Sequence, residues 1–560
     1  MKEKYIALME KTLSAYTDEH ILRYFNDVKT NGLTEHGFPR LTATIGILLS
    51  HGRRKDLWPL FLEMMDFCCK TIPVVRAAND FSVREIICCL LEVEKSGMVS
   101  KEKTERWRAD LATIDAMTCY NKFATSLTDP VRNWALFTAV SEYFRFDAGI
   151  GGEMEFIELQ IGQQLQWFDE NGMYQDKKGS DVNHPILYDL VARELFSLLL
   201  SRGYRGRYYT QIDEALKKAA LLTLDMQSTN GEMAFGGRSN QFLHNEVTMI
   251  AVLEYEARRY AREGNAALAS RFKAASARAL AVTEKWLDQQ PIYHIKNRFP
   301  PETRFGCEKY AYFDKYMITV ASGLWIVYLI CDDTIPSEEM PEHTSRVAQT
   351  SYHFHKLFLK CGEYAMEYDT NGDPEYDAGG LGRVHRKGAP SAICLSCPCP
   401  AAPKYTVDIE KPFAFSLCSA IREEDGWRFG AEKRVQHQVI NTSTDHDSAS
   451  ATVLCEFEND RAVKEHYTVT ENGVAITVEG DGEIGYALPA FCFDGAVSPQ
   501  ITAAEHTLTV SYEGWMCRYT TNGRIMDLNR TAANRNGHYR GYIAISQNTL
   551  NVKIELEKTV

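Results

Sequence analysis

One change of rhythm governs what this chain of 560 residues can fold into. Up to about Ile335, apolar residues recur at spacings of three and four; from about Tyr352 onward they alternate. A period near 3.6 buries one stripe of a helix, whereas a period of two buries one face of a strand, so the two halves cannot share an architecture. The first half reads as about a dozen helices, among them Tyr5–Val28, Leu41–Leu49, Trp134–Phe146, Ile186–Leu200, Phe242–Tyr260 and Tyr316–Leu329. Short Gly, Asn, Asp or Pro breaks separate them, which predicts an (α/α)6-type toroid; no strict sequence repeat marks a solenoid array. The second half alternates through Lys356–Lys360, Ala451–Phe457, Val474–Val478 and Leu508–Tyr512, with turn signals such as Glu471-Asn472-Gly473 between. It predicts an antiparallel β-sandwich, with Leu550–Leu556 as a closing strand. The expected fold is therefore α+β and multidomain, a toroid over 1–340 and a sandwich over 341–560.

Four clusters concentrate polar groups at helix ends, where a toroid would place its cleft. The first runs from Asp181 through Asn183, His184 and Pro185 to Tyr188 and Asp189. With Pro185 as the first helical residue and Asp181 or Asn183 as the N-cap, His184 and Tyr188 fall near one face. The second spans Asn230 to Glu246 and holds Glu232, Gly236-Gly237, Arg238, Ser239, Asn240, Gln241, His244 and Asn245. Its glycines let backbone approach a ligand, and Arg238 can fork onto a carboxylate. A glycine turn with Ser239 as an N-cap is the plainer account of that run. The third, Arg298 to Tyr316, offers Arg304, Tyr310 and Tyr312 as sugar platforms or proton donors, or as ordinary packing residues. The fourth pairs Asn133 and Trp134 with Glu142, Tyr143, Arg145 and Asp147; Trp134 is a sugar platform or a core residue.

In the second half, Gly379–Arg386 brings three glycines and three basic groups, including His385, as a loop into the cleft or a solvated turn. His353 and His355 alternate as if along a strand.

The toroid-then-sandwich order resembles the toroidal β-glucuronidases and the heparinase- and alginate-type polysaccharide lyases. It also resembles a large family of bacterial toroid proteins, through Asn133-Trp134, Asp181–Tyr188 and Phe235–Ser239. That resemblance implies a carbohydrate substrate, here a short acidic oligosaccharide, and frequent homo-oligomers. Hydrolysis, with release of a terminal glucuronate, is the first expectation. It needs two carboxylates, drawn from Asp181, Asp189, Glu232 and Glu246, with Arg238 and His184 or Tyr312 on the uronate. β-Elimination is the second. It would use the Asn183-His184 pair, a phenol from Tyr188, Tyr310 or Tyr312, and His385 as the counterpart of the lyases' sandwich-borne histidine. A glycan-binding protein without activity is the third.

Composition removes other classes. A net charge of −13 and a pI near 5.7 lack the basic excess that nucleic acid requires, while a few local arginines suffice for an anionic sugar. No run is read as long and apolar enough to span a bilayer, so no membrane partner is expected. The charged start Met1–Leu8 has no export-type apolar stretch, which predicts a cytoplasmic protein. Fifteen scattered Cys predict reduced, buried thiols. Cys394, Cys397 and Cys399 have no second pair at finger spacing, and no nucleotide-binding glycine motif or nucleophile elbow occurs, so neither metal nor cofactor is expected.

Overall fold

Some helices of the first half are apolar on all sides and others on one side, and that difference sorts them into two rings. The structure, a computed structural model, describes residues 1–177, 183–338, 345–424, 426–458 and 460–559. The inner ring is Gly37–Ser50, Asn79–Ser96, Trp134–Asp147, Ile186–Ser201, His244–Arg262 and Phe313–Ile330. These pack side by side in that order, and the last closes against the first. Gly37–Ser50 is buried along almost its whole length, as a helix with neighbours all round must be. The helices between them in sequence lie outside. Lys2–Leu13 packs on Phe313–Ile330, Trp58–Thr71 on Gly37–Ser50, Met154–Gln164 on Trp134–Asp147, and Ala266–Leu287 on His244–Arg262. Inner and outer helices thus alternate, which is the expected toroid. Where one helix was expected over Tyr5–Val28 there are two, Lys2–Leu13 and Asp18–Asn31; Thr17 accepts a hydrogen bond from His20 N–H and caps the second.

One correction concerns apolar length. Phe313–Ile330 is long and apolar enough to cross a bilayer by length and composition. Here it is the helix that closes the ring, and most of it is buried.

The helices end at Ile330 and the strands begin at Arg346; the expected boundary at 340 falls outside the described residues. A four-stranded sheet begins with Arg346–Gln349, Lys356–Cys361, Tyr364–Asp369 and Gly380–Arg386, in that spatial order. It packs on an eleven-stranded sheet whose spine is Gly473–Phe493 paired antiparallel with Gly537–Lys558. Leu357, Leu359 and Met366 of the small sheet share a core with Val453, Val463 and Ile476 of the large one. The expected closing strand is the last third of Gly537–Lys558.

Three local expectations change. Gly379–Arg386 is neither a loop nor a solvated turn: Gly380–Arg386 is a buried strand of the small sheet. His353 and His355 precede the strand Lys356–Cys361 instead of alternating along it, and His355 has a positive φ of 55°. The helix after the first cluster starts at Ile186, one residue after Pro185, with no side-chain cap.

Candidate active site

The segments leading into the inner helices meet the sandwich, and the cleft lies there. Within the ring is a cavity of about 340 Å³ whose wall includes Asn133, Trp134, Tyr188, Arg238, Ser239 and Tyr310. A second cavity, about 530 Å³, shares Asn133, Trp134 and Arg238 and is completed by Asp373, Glu375 and Tyr376 of the sandwich. Trp134, half-buried and in a T-shaped contact with Phe81, lines both cavities.

The turn Gly236-Gly237 sets this geometry. At Gly237, φ is +73° and an added Cβ would lie 2.8 Å from Pro185; at Gly236 it would lie 3.3 Å from Ile186. A larger residue at Gly237 would press on the Pro185 ring and backbone, whereas at Gly236 it would meet only the side chains of Lys356 and Ile186. Gly237 N–H donates to Asp377 at 2.9 Å and Phe235 N–H to Glu367 at 3.2 Å, so sandwich carboxylates hold the turn. Beyond it, Ser239 sits at φ +58°, an uncommon conformation for a residue with a Cβ. It is held there by its N–H donating to Glu308 at 2.6 Å and its carbonyl accepting from Asn245 at 3.1 Å. Glu308 is in turn gripped by Arg535 through contacts of 2.6 and 2.9 Å.

Ser239 is therefore a fixed hydroxyl, not the helix cap that its surroundings permit. Its Oγ lies 3.2 Å from the Tyr188 hydroxyl and 2.9 Å from that of Tyr310. Arg238 lies over the Tyr188 ring at 4.1 Å and pairs with Asp176. Burial lifts the Asp176 carboxyl above its usual range although Arg238 pulls the other way. Burial raises the Tyr188 phenol while Arg238 again opposes it, and Tyr310 is raised further by burial, Tyr188 and Glu308. The cleft thus presents neutral phenols, one of them against a guanidinium.

Deeper in the ring, Arg40 and Arg84 share the Glu85 carboxylate, which also accepts from Ser322. Glu194 faces them, buried, and burial pushes its carboxyl up to about 8 against the pull of Arg84 and Arg40. The native state therefore holds a proton that the unfolded chain loses above its ordinary value, so stability falls as pH rises from about 4.5 to about 8. Glu194→Gln should flatten that fall, by on the order of 1 kcal/mol per pH unit, in urea titrations at pH 5 and pH 8. Equal pH slopes in wild type and variant would refute it.

Other sequence candidates lie elsewhere. Asp181 is outside the described residues. Asn183 donates to Asp369 at 2.9 Å and to the Asn371 carbonyl, so its amide is committed to the sandwich. His184 is buried beside the cleft; its Nδ1 accepts from Lys177 N–H at 3.0 Å, and burial lowers its pKa to about 3. It is a neutral imidazole carrying its proton on Nε2. Asp189 is buried in a pair with Arg193 and accepts from Tyr174 N–H.

Glu232 and Glu246 sit in an ionic cluster between the halves. Glu246 pairs with Lys296 at 2.6 Å, and Glu232 lies 3.8 Å from Arg383 and accepts from Ser391. His385, buried in the same cluster, has its pKa lowered to about 3 by burial and Arg383. Gln241 lines a separate cavity with Glu232. His244 lines the ring cavity, with its pKa lowered to about 3 by burial and Arg40. Tyr312 is 58% exposed with Arg304 stacked on it at 4.9 Å, away from both cleft cavities. Of the fourth cluster, Glu142 and Arg145 form a buried pair with each other.

The structure thus brings together Trp134, Tyr188, Arg238, His244 and Tyr310 and separates them from Glu232, Glu246, Gln241, His385, Arg304 and Tyr312. The roles of Asp176, Glu308 and Arg535 had no local signal, since each partner is distant in sequence. Arg40, Arg84 and Glu194 did carry one, as charges inside otherwise apolar helices.

No protein-family model and no curated protein matches this sequence. Among solved structures the chain is similar to a heparinase III, at 11% identity over 97% of this chain and 75% of that one, with a TM-score of 0.44. It is also similar to the chondroitin AC lyase of Streptomyces coelicolor A3 solved with chondroitin sulphate, at 11% identity over 99% and 83%, with a TM-score of 0.46.

Proposed function

We propose that the protein cleaves uronate-containing oligosaccharides by β-elimination in the cleft at Arg238. The observation that carries this is the Tyr188–Ser239–Tyr310 chain with Arg238 against the Tyr188 ring, while Glu232 and Glu246 are tied up in ion pairs elsewhere. Elimination removes the proton on C5 of a uronate and expels the oxygen on C4, leaving a 4,5-unsaturated sugar. The C5 proton becomes acidic when the neighbouring carboxylate is neutralised, and Arg238 with the Asn133 amide on the cleft wall suits that task. Burial keeps the Tyr188 phenol protonated in the resting cleft, so it takes the C5 proton only after giving up its own to solvent, as the phenolate that Arg238 favours; a neutral phenol such as Tyr310 supplies a proton to the departing oxygen. Hydrolysis instead needs two carboxylates flanking the bond, and those on the cleft wall are each paired already, Asp176 with Arg238, Asp373 with Lys177 and Glu375 with Lys404.

The test is incubation with uronate-containing oligosaccharides. Growth of the ultraviolet absorbance of an unsaturated uronate supports elimination. Free saturated uronate without that absorbance would restore the hydrolytic reading, and no turnover on a broad acidic-glycan panel would leave a binding protein. Arg238→Lys, which keeps the charge but loses the fork, should lower kcat/KM on acidic substrates by about 10-fold or more, largely through KM. Unchanged kinetics would remove Arg238 from the substrate carboxylate.

A further inference from the structure

The ring cavity continues past the phenols, and its inner layer has the chemistry of a binding site. Glu194 and Arg84 lie there with Thr248, Ser322 and the Arg40 guanidinium. Glu194 is six residues beyond Tyr188 on the same helix, a depth of roughly 9 Å at 1.5 Å per residue. One helical turn further in, Cys88, Leu198 and Trp325 are buried, so the ring is filled beyond this layer. The cavity of about 340 Å³ is at the small end of the roughly 300–1,000 Å³ typical of ligand sites and runs from the phenols to this layer, so the layer itself can take no more than one sugar residue.

Among the described residues, Arg84 Nη1, Glu194 Oε1 and His244 Nδ1 are buried without a hydrogen-bond partner. Arg40 Nε likewise makes no hydrogen bond, standing 3.5 Å from Glu85. Buried polar groups are rarely left so unless something else completes them. The charges show what that is. Arg40 and Arg84 share a single carboxylate, that of Glu85, and Glu194 keeps its proton near neutral pH. Arg40 and Arg84 thus outnumber the ionised carboxylate they share, with Lys315 on the same cavity wall, and the layer is bounded by apolar side chains such as Phe137, Val191 and Ile326.

We propose that this inner layer is a dead-end subsite that holds the anionic substituent, carboxylate or sulfate, of the terminal sugar, so that the protein works from chain ends. This rests on reading the Arg238 cleft as the place of glycan cleavage. The sugar enters past Tyr188 and Tyr310, its anion meets Arg84 and Arg40, and its hydroxyls meet Glu194, His244 and Thr248. The next sugar, at the phenols, carries the bond to be broken.

Two experiments separate the subsite from the cleavage. The first follows product sizes from an end-labelled uronate decasaccharide through the earliest turnovers. A single short product from one end supports the subsite; a spread of internal lengths overturns it while leaving the elimination reading intact. The second measures binding of glucuronate, glucose 6-sulfate and glucose by calorimetry to wild type and to Val191→Trp, which fills the layer without touching its charges. Both anions, or one of them, should bind at least about tenfold more tightly than glucose, and that preference should vanish in Val191→Trp. Binding of glucuronate alone identifies carboxylate as the ligand group, and of glucose 6-sulfate alone, sulfate. That pattern in a protein without turnover keeps the subsite and removes the cleavage. Equal affinity for glucose and the anions, or anion binding unchanged in a correctly folded Val191→Trp, overturns the subsite.

Discussion

Tyr188→Phe should fold as wild type does and lose about 10²–10⁴-fold in kcat on a uronate oligosaccharide, the range that a positioned acid or base contributes. The variant keeps the ring on which Arg238 rests at 4.1 Å and removes one hydroxyl. Ser239 retains its bond to Tyr310 at 2.9 Å, so the rest of the chain of hydroxyls stays in place. KM should change little, because a phenol that moves a proton acts in the transition state and adds little to ground-state binding. The readout is unsaturated-uronate absorbance under saturating and limiting substrate, with the thermal transition as a check on folding. A kcat within about threefold of wild type would remove Tyr188 from the proton transfer. Tyr310→Phe should show a similar loss if the two phenols divide the work, and none if Tyr188 both takes and returns the proton.

The largest effect on stability is expected for Arg535→Ala. Arg535 and Glu308 are both almost wholly buried and are joined at 2.6 and 2.9 Å, and Arg535 also donates to the Gly306 carbonyl at 2.7 Å. Removing one partner leaves a carboxylate stranded in the interior, which costs about 3–5 kcal/mol. Glu308 also accepts the Ser239 N–H, so the fixed hydroxyl loosens and turnover falls with stability. Denaturant unfolding gives the first quantity and initial rates at a temperature where the variant is folded give the second. A loss under about 1 kcal/mol would show the pair to be solvated or replaceable.

The fold was legible because it rests on period. Helical spacing through Phe313–Ile330 and alternation through Leu508–Tyr512 are properties of neighbouring residues, and neighbouring residues decide which face is buried. The site was legible only where its parts are close in sequence. Arg238 beside a Gly-Gly turn, and Tyr188 in the first turn of an apolar helix, announced themselves. Their partners did not: Asp176 is 62 positions from Arg238, and Arg535 is 227 from Glu308. Glu246 shows the opposite failure. As a carboxylate at a helix start it has the look of a catalytic group, yet Lys296, fifty positions away, takes it out of the cleft. Asn183 and Glu232 are diverted in the same way by Asp369 and by Ser391 with Arg383. Sequence pattern reports how hydrophobic a position is, whereas the assignment of a charge to its partner is settled by which loops the fold brings together.

The Phe235–Ser239 segment has a consequence of its own. Its backbone N–H groups hang on Glu367, Asp377 and Glu308, the first two from the sandwich and the third fixed by the sandwich's Arg535. The sandwich thus acts as a jig: it supplies none of the reacting groups named here but sets where Arg238 and Ser239 stand relative to Tyr188. A small change in the spacing of those carboxylates would shift the guanidinium against the phenols with every inner-ring helix left untouched. Divergence of substrate preference among chains built this way can therefore be written into the sheet, far from the residues that would meet the sugar.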